Sequence, residues 1–267
     1  MTSVYPLASG SSGNALLYLR EDLRLLLDAG ISCRRICAAL RELNLLPSDL
    51  DGILITHVHA DHIAGLQTLL KRTACPIYAS PRTGRELHYR FAGLDERIVP
   101  LPLCEPFPMG DCSVTAFPTS HDSPGCCGFR IDSPDGGFGL LTDTGYVTEE
   151  AAAILPGVRL ALLEANHDVE TLRSGPYPYP LKARILGSEG HLCNEDAAAF
   201  AVELAKSGAR ELVLAHLSRE NNTPAMARDA VARALSAAGL DPMLSVAPRD
   251  TTGGPYRVEG GPASCRR

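Results

Sequence analysis

Residues 57–62 hold four side chains that can bind a metal: His57, His59, Asp61 and His62 in the run Thr56-His57-Val58-His59-Ala60-Asp61-His62. They follow the apolar segment Gly52-Ile53-Leu54-Ile55, which reads as a short buried strand running into a polar loop. Two histidines one residue apart in a loop can aim their rings at one point. Asp61 and His62 can then turn toward a second point a few Å away. Imidazole nitrogen and carboxylate oxygen suit zinc, iron or manganese. A solvated loop that happens to be rich in histidine is the alternative. Three of the chain's eight histidines falling in this one stretch make that a poor account.

The HxHxDH form resembles that of the metallo-β-lactamase-fold hydrolases. The resemblance implies an α/β (α+β) fold, a four-layer αβ/βα sandwich of two mixed β-sheets flanked by helices, with a two-metal site at the sheet edges. It also implies a third histidine, a bridging aspartate and a last histidine, each just after a strand. His121 in Ser120-His121-Asp122, Asp143 in Thr142-Asp143-Thr144-Gly145, and His216 after Leu212-Val213-Leu214-Ala215 occupy such positions. By resemblance, His57, His59 and His121 hold one metal, Asp61, His62 and His216 hold the other, and Asp143 bridges. Two divalent ions (zinc or manganese) about 3.5–4 Å apart bind a shared water, lower its pKa toward neutrality and clamp substrate oxygens. Asp61 can take the water's proton as well as ligate. Seven donors, none of them thiolate, leave positions open for water and substrate.

The flanking motifs narrow the reading. Ser9-Gly10-Ser11-Ser12-Gly13-Asn14, Asn166-His167-Asp168, Gly190-His191-Leu192 and His216-Leu217-Ser218-Arg219-Glu220-Asn221-Asn222 together resemble the YycJ/WalJ branch of the superfamily. That branch consists of cytoplasmic proteins linked to DNA exonuclease activity, and the resemblance runs from about Val4 to Val246. Two residues depart from its pattern. Cys193 stands where serine is expected after Gly-His-Leu, and Ala165 where serine is expected after Glu164. Cys193 is close enough to His191 that the site could be sensitive to oxidation.

A phosphodiester's leaving alkoxide needs a proton, and a positioned imidazole is the usual donor. His191 precedes a helix that Asn194 could cap, which would hold its ring at the metal cleft. By similarity to tRNA-processing nucleases, His191 is the candidate general acid and Glu164 its orienter. A helix-capping or solvated role is the alternative for each. His167 could line the cleft or make a structural hydrogen bond, and His88 reads as a surface residue. Lys182, Arg184 and Arg219 are candidate phosphate contacts, the lysine as a point charge and the arginines as bidentate forks. Solvated surface charges are the alternative. The Ser9–Asn14 turn could present N–H groups to an anion or simply connect two strands. It lacks the Lys-Ser/Thr of a P-loop, which argues against a nucleoside-triphosphate site.

Alternating strand and helix signals must position these residues. Ala15–Leu19 and Leu23–Leu27 read as a hairpin. Ser32 can cap a helix presenting Ile36, Leu40 and Leu43. A helix over Ile63–Leu70 leads to a strand at Pro76–Ala79. Strands are expected at Ser113–Pro118, Gly128–Ile131, Phe138–Thr142 and Leu160–Leu163. Helices at Glu195–Lys206 and Ala225–Ala237 alternate with strands at Glu211–Ala215 and Met243–Val246, the last strand. The 267 residues, 45% apolar, suit one such domain over residues 1–250. A flexible tail is expected over 251–267, with its Gly-Gly-Pro turns.

Composition excludes several classes. At 21% charged residues the chain is not of the disordered kind, and a net charge of −6 excludes a broadly cationic nucleic-acid coat. Two metals would still add about +4 at the cleft, so a local anion site fits an acidic protein. No apolar run suits a membrane span, and the N-terminus has no secretory pattern. Nine cysteines, odd in number and without a CxxC pair, read as free thiols in a reducing cytoplasm. A two-fold homodimer is a compatible assembly. The leading expectation is a dinuclear metal-dependent phosphodiesterase, a DNA exonuclease of repair or replication. The alternatives are a small-molecule hydrolase (lactone, thioester or cyclic phosphodiester) and a non-catalytic metal-binding regulator.

Overall fold

The structure, a computed structural model, describes residues 1–91 and 93–258. The first half runs β1 (Thr2–Ala8), β2 (Ala15–Arg20), β3 (Leu23–Leu27), α1 (Cys33–Glu42), β4 (Gly52–Ile55), α2 (Ala60–Ile63), α3 (Leu66–Leu69), β5 (Ile77–Ala79), α4 (Pro81–Arg90) and β6 (Ile98–Pro100). The second half runs β7 (Phe107–Met109), β8 (Cys112–Pro118), β9 (Cys127–Ser133), β10 (Gly136–Leu141), α5 (Glu149–Ile154), β11 (Leu160–Glu164), α6 (Val169–Ser174), α7 (Tyr179–Leu186), α8 (Asn194–Lys206), β12 (Glu211–Ala215), α9 (Pro224–Ala237), β13 (Met243–Val246) and β14 (Tyr256–Val258).

The strands form two seven-stranded sheets, ordered β14-β1-β2-β3-β4-β5-β6 and β13-β12-β11-β10-β9-β8-β7. Each begins as an antiparallel meander and becomes parallel, from β3 onward in the first and from β10 onward in the second. Alternation along the strands builds the layers, because successive side chains leave opposite faces. Leu25, Leu27 and Leu54 face inward to meet Phe129, Phe138, Leu140 and Leu162 between the sheets. Leu26, Ile53 and Ile55 face outward onto Ile36, Leu40 and Leu66. Ala161, Leu163 and Leu214 face the other way onto Ala197, Leu204 and Val231. Each such leucine, fully buried, contributes roughly 1.5–3 kcal/mol before chain entropy is counted. The result is the expected αβ/βα sandwich.

This topology decides where chemistry can sit. Strands β1, β3 and β4 run the same way, as do β8, β10, β11 and β12. Their carboxyl ends converge on one edge, where loops rather than side-chain packing fill the space.

Two expectations are corrected. The helix over Ile63–Leu70 is split, because the Gly65 N–H donates to the Ala29 carbonyl at 2.8 Å instead of continuing the helical ladder. The chain also does not come loose at Thr251. Tyr256–Val258 pairs antiparallel with β1, so Met243–Val246 is not the last strand. Packing of Val258 at the inter-sheet core holds this segment. The rest of the expected tail, 259–267, lies outside the described residues. Among the described residues no helix is long and apolar enough to cross a membrane.

Candidate metal centre

The local fold separates the HxHxDH ligands into two pairs. His57 and His59 precede α2, and Asp61 and His62 lie in its first turn. The loop closes down because residue 30 is glycine: a Cβ there would stand 1.6 Å from the Asp61 carbonyl oxygen. The Asn14 N–H donates to that same oxygen at 2.8 Å. From the second sheet come His121 after β8, Asp143 after β10 and His216 after β12. Asp28, Asp143 and His216 all take positive φ, near 60°, which non-glycine residues adopt rarely and at a cost of order 1 kcal/mol.

All seven candidate ligands meet. His121 Nε2 lies 3.2 Å from His59 Nδ1. His216 Nε2 lies 3.4 Å from Asp61 Oδ2, and His62 Nε2 is 3.5 Å from it. Asp143 stands between the groups. Its Oδ1 is 3.7 Å from His121 Nε2 and 3.6 Å from His216 Nε2, and its Oδ2 is 3.2 Å from His62 Nε2. Potential ligand atoms of His57, His59 and His121 fall within 4.8 Å of one another, as do those of Asp61, His62 and His216.

The outer nitrogens of four rings are already engaged. His62 Nδ1 donates to Asp28 Oδ2 at 2.7 Å and His121 Nδ1 to the Gly190 carbonyl at 2.9 Å. His216 Nδ1 donates to Glu164 Oε1 at 2.9 Å. The Thr56 hydroxyl gives its proton to Asp28 and so accepts from His57 Nδ1 at 3.0 Å. Such outer partners fix ring tautomer and orientation around a metal. His57 Nε2 is buried without a hydrogen-bond partner, an arrangement that is costly unless something else satisfies it. A set of imidazoles and carboxylates with an orphaned inward nitrogen fits divalent cations.

The electrostatics agree. Burial works against a charged His62, yet Asp143 and Asp28 outweigh it and push that ring well above the ordinary imidazole range. Burial likewise opposes charge on His216, but Asp143, Asp61 and Glu164 push it up to about 10. Burial would raise the Asp143 carboxyl, and His216 and His62 hold it well below the usual range. Asp61 behaves the same way, lowered by hydrogen bonds from His216 and His62. His57 goes in the other direction, pushed well below the ordinary value by burial and then by His62, so it keeps its lone pair. The pocket attracts positive charge while leaving neutral nitrogen to ligate.

Glu164 is not among the inward donors. Its Oε1 accepts from His191 Nδ1 at 2.8 Å and from His216 Nδ1, while its Oε2 accepts the N–H groups of Thr144 at 3.0 Å and Leu192 at 3.3 Å. Burial works to raise its pKa, but His191 and His216 hold it down to about 2. His191 lies beside the cluster, with Nδ1 3.7 Å from Asp143 Oδ1, and its side chain is 20% exposed. A cleft of about 170 Å³ opens over it, lined by His121, His191, Asn166, Tyr177, Leu181 and Arg184 among others.

The candidate phosphate contacts divide. Arg184 lines this cleft and pairs with Asp122. Lys182 instead donates to the Arg173 carbonyl at 2.6 Å, and Arg219 reaches Asp250 at 3.3 Å. Neither lines the cleft. Helix α7 buries no residue; Leu181, Arg184 and Ile185 share the face that lines the cleft. His167 is buried with both ring nitrogens unpaired and is not in the cleft lining; burial drives its pKa down to about 4. His88 is exposed on α4.

Cys193, not Asn194, caps α8, its sulfur accepting from the Asp196 N–H at 3.5 Å. Asn194 pairs its amide reciprocally with Asn222, at 3.1 and 2.8 Å. Burial pushes the Cys193 thiol up to about 12, the opposite of a redox-sensitive cysteine. The Ser9–Asn14 loop is also spent on positioning. Ser9 Oγ accepts the His216 N–H at 2.9 Å, and Asn14 Oδ1 accepts that of Gly10 at 2.9 Å.

Asp28 escapes a reading of the sequence, while Asn14 and Asn166 stand in the flanking motifs without a role assigned to them. Asn14 Nδ2 lies 3.1 Å from His62 Nε2, and Asn166 Nδ2 donates to the His216 carbonyl at 2.8 Å. The one available signal for Asp28 was its place directly after a strand, as for Asp143 and His216.

Residues 23–217 match the beta-lactamase superfamily domain. The chain is 39% identical over 239 residues to the exodeoxyribonuclease WalJ of Streptococcus pneumoniae, covering 88% of each protein. It is 36% identical over 236 residues to the exodeoxyribonuclease YycJ of Bacillus anthracis, covering 88% of this chain and 89% of that one. Among solved structures, the metallo-β-lactamase fold protein YhfI of Bacillus subtilis superposes with a TM-score of 0.72 over 94% of this chain and 98% of its own, at 18% identity, a likeness of fold alone. These matches span both sheets and every member of the His/Asp cluster: the chain belongs to the metallo-β-lactamase superfamily, as a homologue of the WalJ and YycJ exodeoxyribonucleases.

Proposed function

We propose that this protein is a metal-dependent phosphodiesterase that removes nucleotides from a DNA end. The observation that carries the reading is the shared Glu164 oxygen, which holds His191 at the cleft and His216 in the cluster at once. His57, His59 and His121 would hold one divalent cation, zinc or manganese, Asp61, His62 and His216 a second, and Asp143 would bridge. Bound there, two such cations supply a water acidic enough to attack at neutral pH and a clamp for phosphate oxygens.

The protein's own side chains would supply the rest. His191, its Nδ1–H anchored on Glu164, is oriented to give a proton to the leaving alkoxide. Glu164, ionised, stabilises the charged ring before transfer. Asp61, within reach of both His62 and His216, would ligate and can accept a proton. Arg184, which lines the cleft and pairs with Asp122 through Nε, would meet a phosphate there with its remaining N–H groups. The small cleft and the outward Lys182 favour, as a second reading, a small phosphodiester or lactone.

The test is hydrolysis of end-labelled duplex DNA with manganese and, separately, with zinc, alongside Asp143→Asn. Nucleotide release that vanishes in the variant supports the reading. No release with either metal, from protein containing two metals per chain, would overturn it in favour of the small-molecule substrate.

A further inference from the structure

The run Gly175-Pro176-Tyr177-Pro178-Tyr179-Pro180 joins α6 to the first turn of α7 and alternates proline with tyrosine. Pro176 and Pro178 fix their own φ on either side of Tyr177, and Pro178 disfavours the helical conformation for it, so Tyr177 sits on a stiff backbone just before α7. The two rings have different surroundings. Tyr179 is 83% exposed, whereas Tyr177 is half-buried and lines the metal cleft together with His121, His191, Leu181 and Ile185. Among the described residues, Tyr177 makes no side-chain hydrogen bond and stacks on no other ring. A partly buried aromatic face with no protein partner is thus held beside the candidate reacting centre.

The wall that carries it is tied to the metal loops through backbone groups. Ser120 Oγ donates to the Ser188 carbonyl at 2.7 Å, His121 Nδ1 to the Gly190 carbonyl, and the His191 N–H to the Ile185 carbonyl at 3.1 Å. The end of α7 and the loop after it are thereby fixed against the metal loops, and Tyr177 faces the same cleft from before the helix. The cleft, of about 170 Å³ and open to solvent, has room for a single heteroaromatic ring beside Tyr177.

We propose that Tyr177 is the stacking platform for a single unpaired nucleobase at the end of the nucleic-acid substrate, with Leu181 and Ile185 forming the apolar side of the same slot. This rests on the phosphodiesterase reading. Every base has a π-face, so such a platform tolerates sequence, and aromatic stacking of this kind is worth about 1–3 kcal/mol per base. The slot would accept a frayed or overhanging terminal nucleotide.

The experiment compares wild type, Tyr177→Ala and Tyr177→Phe, each loaded with manganese. The substrates are two single-stranded oligonucleotides, one with ordinary terminal nucleotides and one abasic at both termini. Tyr177→Ala should lose about tenfold or more in kcat/KM on the ordinary end, mainly through KM, and Tyr177→Phe should recover most of that loss. On the abasic end the difference between wild type and Tyr177→Ala should disappear. Equal losses on both substrates, or no loss on either, would overturn the stacking role while leaving the phosphodiesterase reading intact. Failure of the wild type to release nucleotides from either single strand, while it digests duplex DNA, would overturn the base slot alone; failure on duplex DNA with both manganese and zinc as well would overturn both.

Discussion

Asp28 Oδ2 accepts a hydrogen bond from His62 Nδ1 at 2.7 Å, and both side chains are buried. The same carboxylate also receives the N–H of Thr56 at 2.9 Å, through Oδ1, and the Thr56 hydroxyl. Asp28 thereby orients His62 directly and His57 through Thr56. Asp28→Asn keeps size and tolerates the positive φ while removing the charge. It should lower metal affinity or activity about 10- to 100-fold with little effect on folding. Metal titration by calorimetry checks this; unchanged affinity would reduce Asp28 to a loop-closing residue.

His191 and Glu164 should separate in their effects. His191→Ala should lower turnover about 10²–10⁴-fold and leave the metal content at its wild-type value, since the ring serves proton transfer. Glu164→Gln should lower both, because Oε1 also holds His216. Elemental analysis beside single-turnover kinetics distinguishes the two. Loss of metal in His191→Ala would make that histidine a ligand rather than a proton donor.

Gly30→Ala should damage the site without touching a ligand side chain. The added methyl would have to displace the backbone carbonyl of Asp61, which is not free to move while it accepts from Asn14. A loss of about 1–3 kcal/mol is expected, seen as a drop in melting temperature of roughly 2–4 °C per kcal/mol, together with weaker metal binding. A wild-type melting curve and metal content would show that the loop gives way more easily than its packing implies.

Cys193 should be inert. With its thiol near 12, ionisation at pH 8 reaches roughly one molecule in ten thousand, against about one in four for a free cysteine. Iodoacetamide at pH 8 should label the exposed Cys104 well before Cys193, as peptide mapping would show. Cys193→Ser should stabilise the protein by about 0.5–1 kcal/mol, because a hydroxyl caps a helix better than a thiol. Rapid labelling of Cys193 with loss of activity would restore the redox-sensitive reading.

What could be read from the sequence was local. His57, His59, Asp61 and His62 fall within six residues, and a strand end followed by one helical turn is enough to splay them toward two points. Leu25–Leu27 and Leu160–Leu163 show their strands through apolar runs whose alternation matches the two faces each must cover. His121, Asp143 and His216 could be placed at strand ends, and resemblance supplied the reason to look there. What only the tertiary structure decided is which distant residues meet. Asp28 and His62 lie 34 residues apart, and Glu164 and His216 lie 52 apart. Such pairings depend on strand order and on both sheets opening at one edge, which no local periodicity records. Lys182 and Arg184 sit on a helix with no buried residue, and only the tertiary structure shows that the face carrying Leu181, Arg184 and Ile185 is the one turned to the cleft. Asp122, in the loop after β8, pairs with Arg184 there.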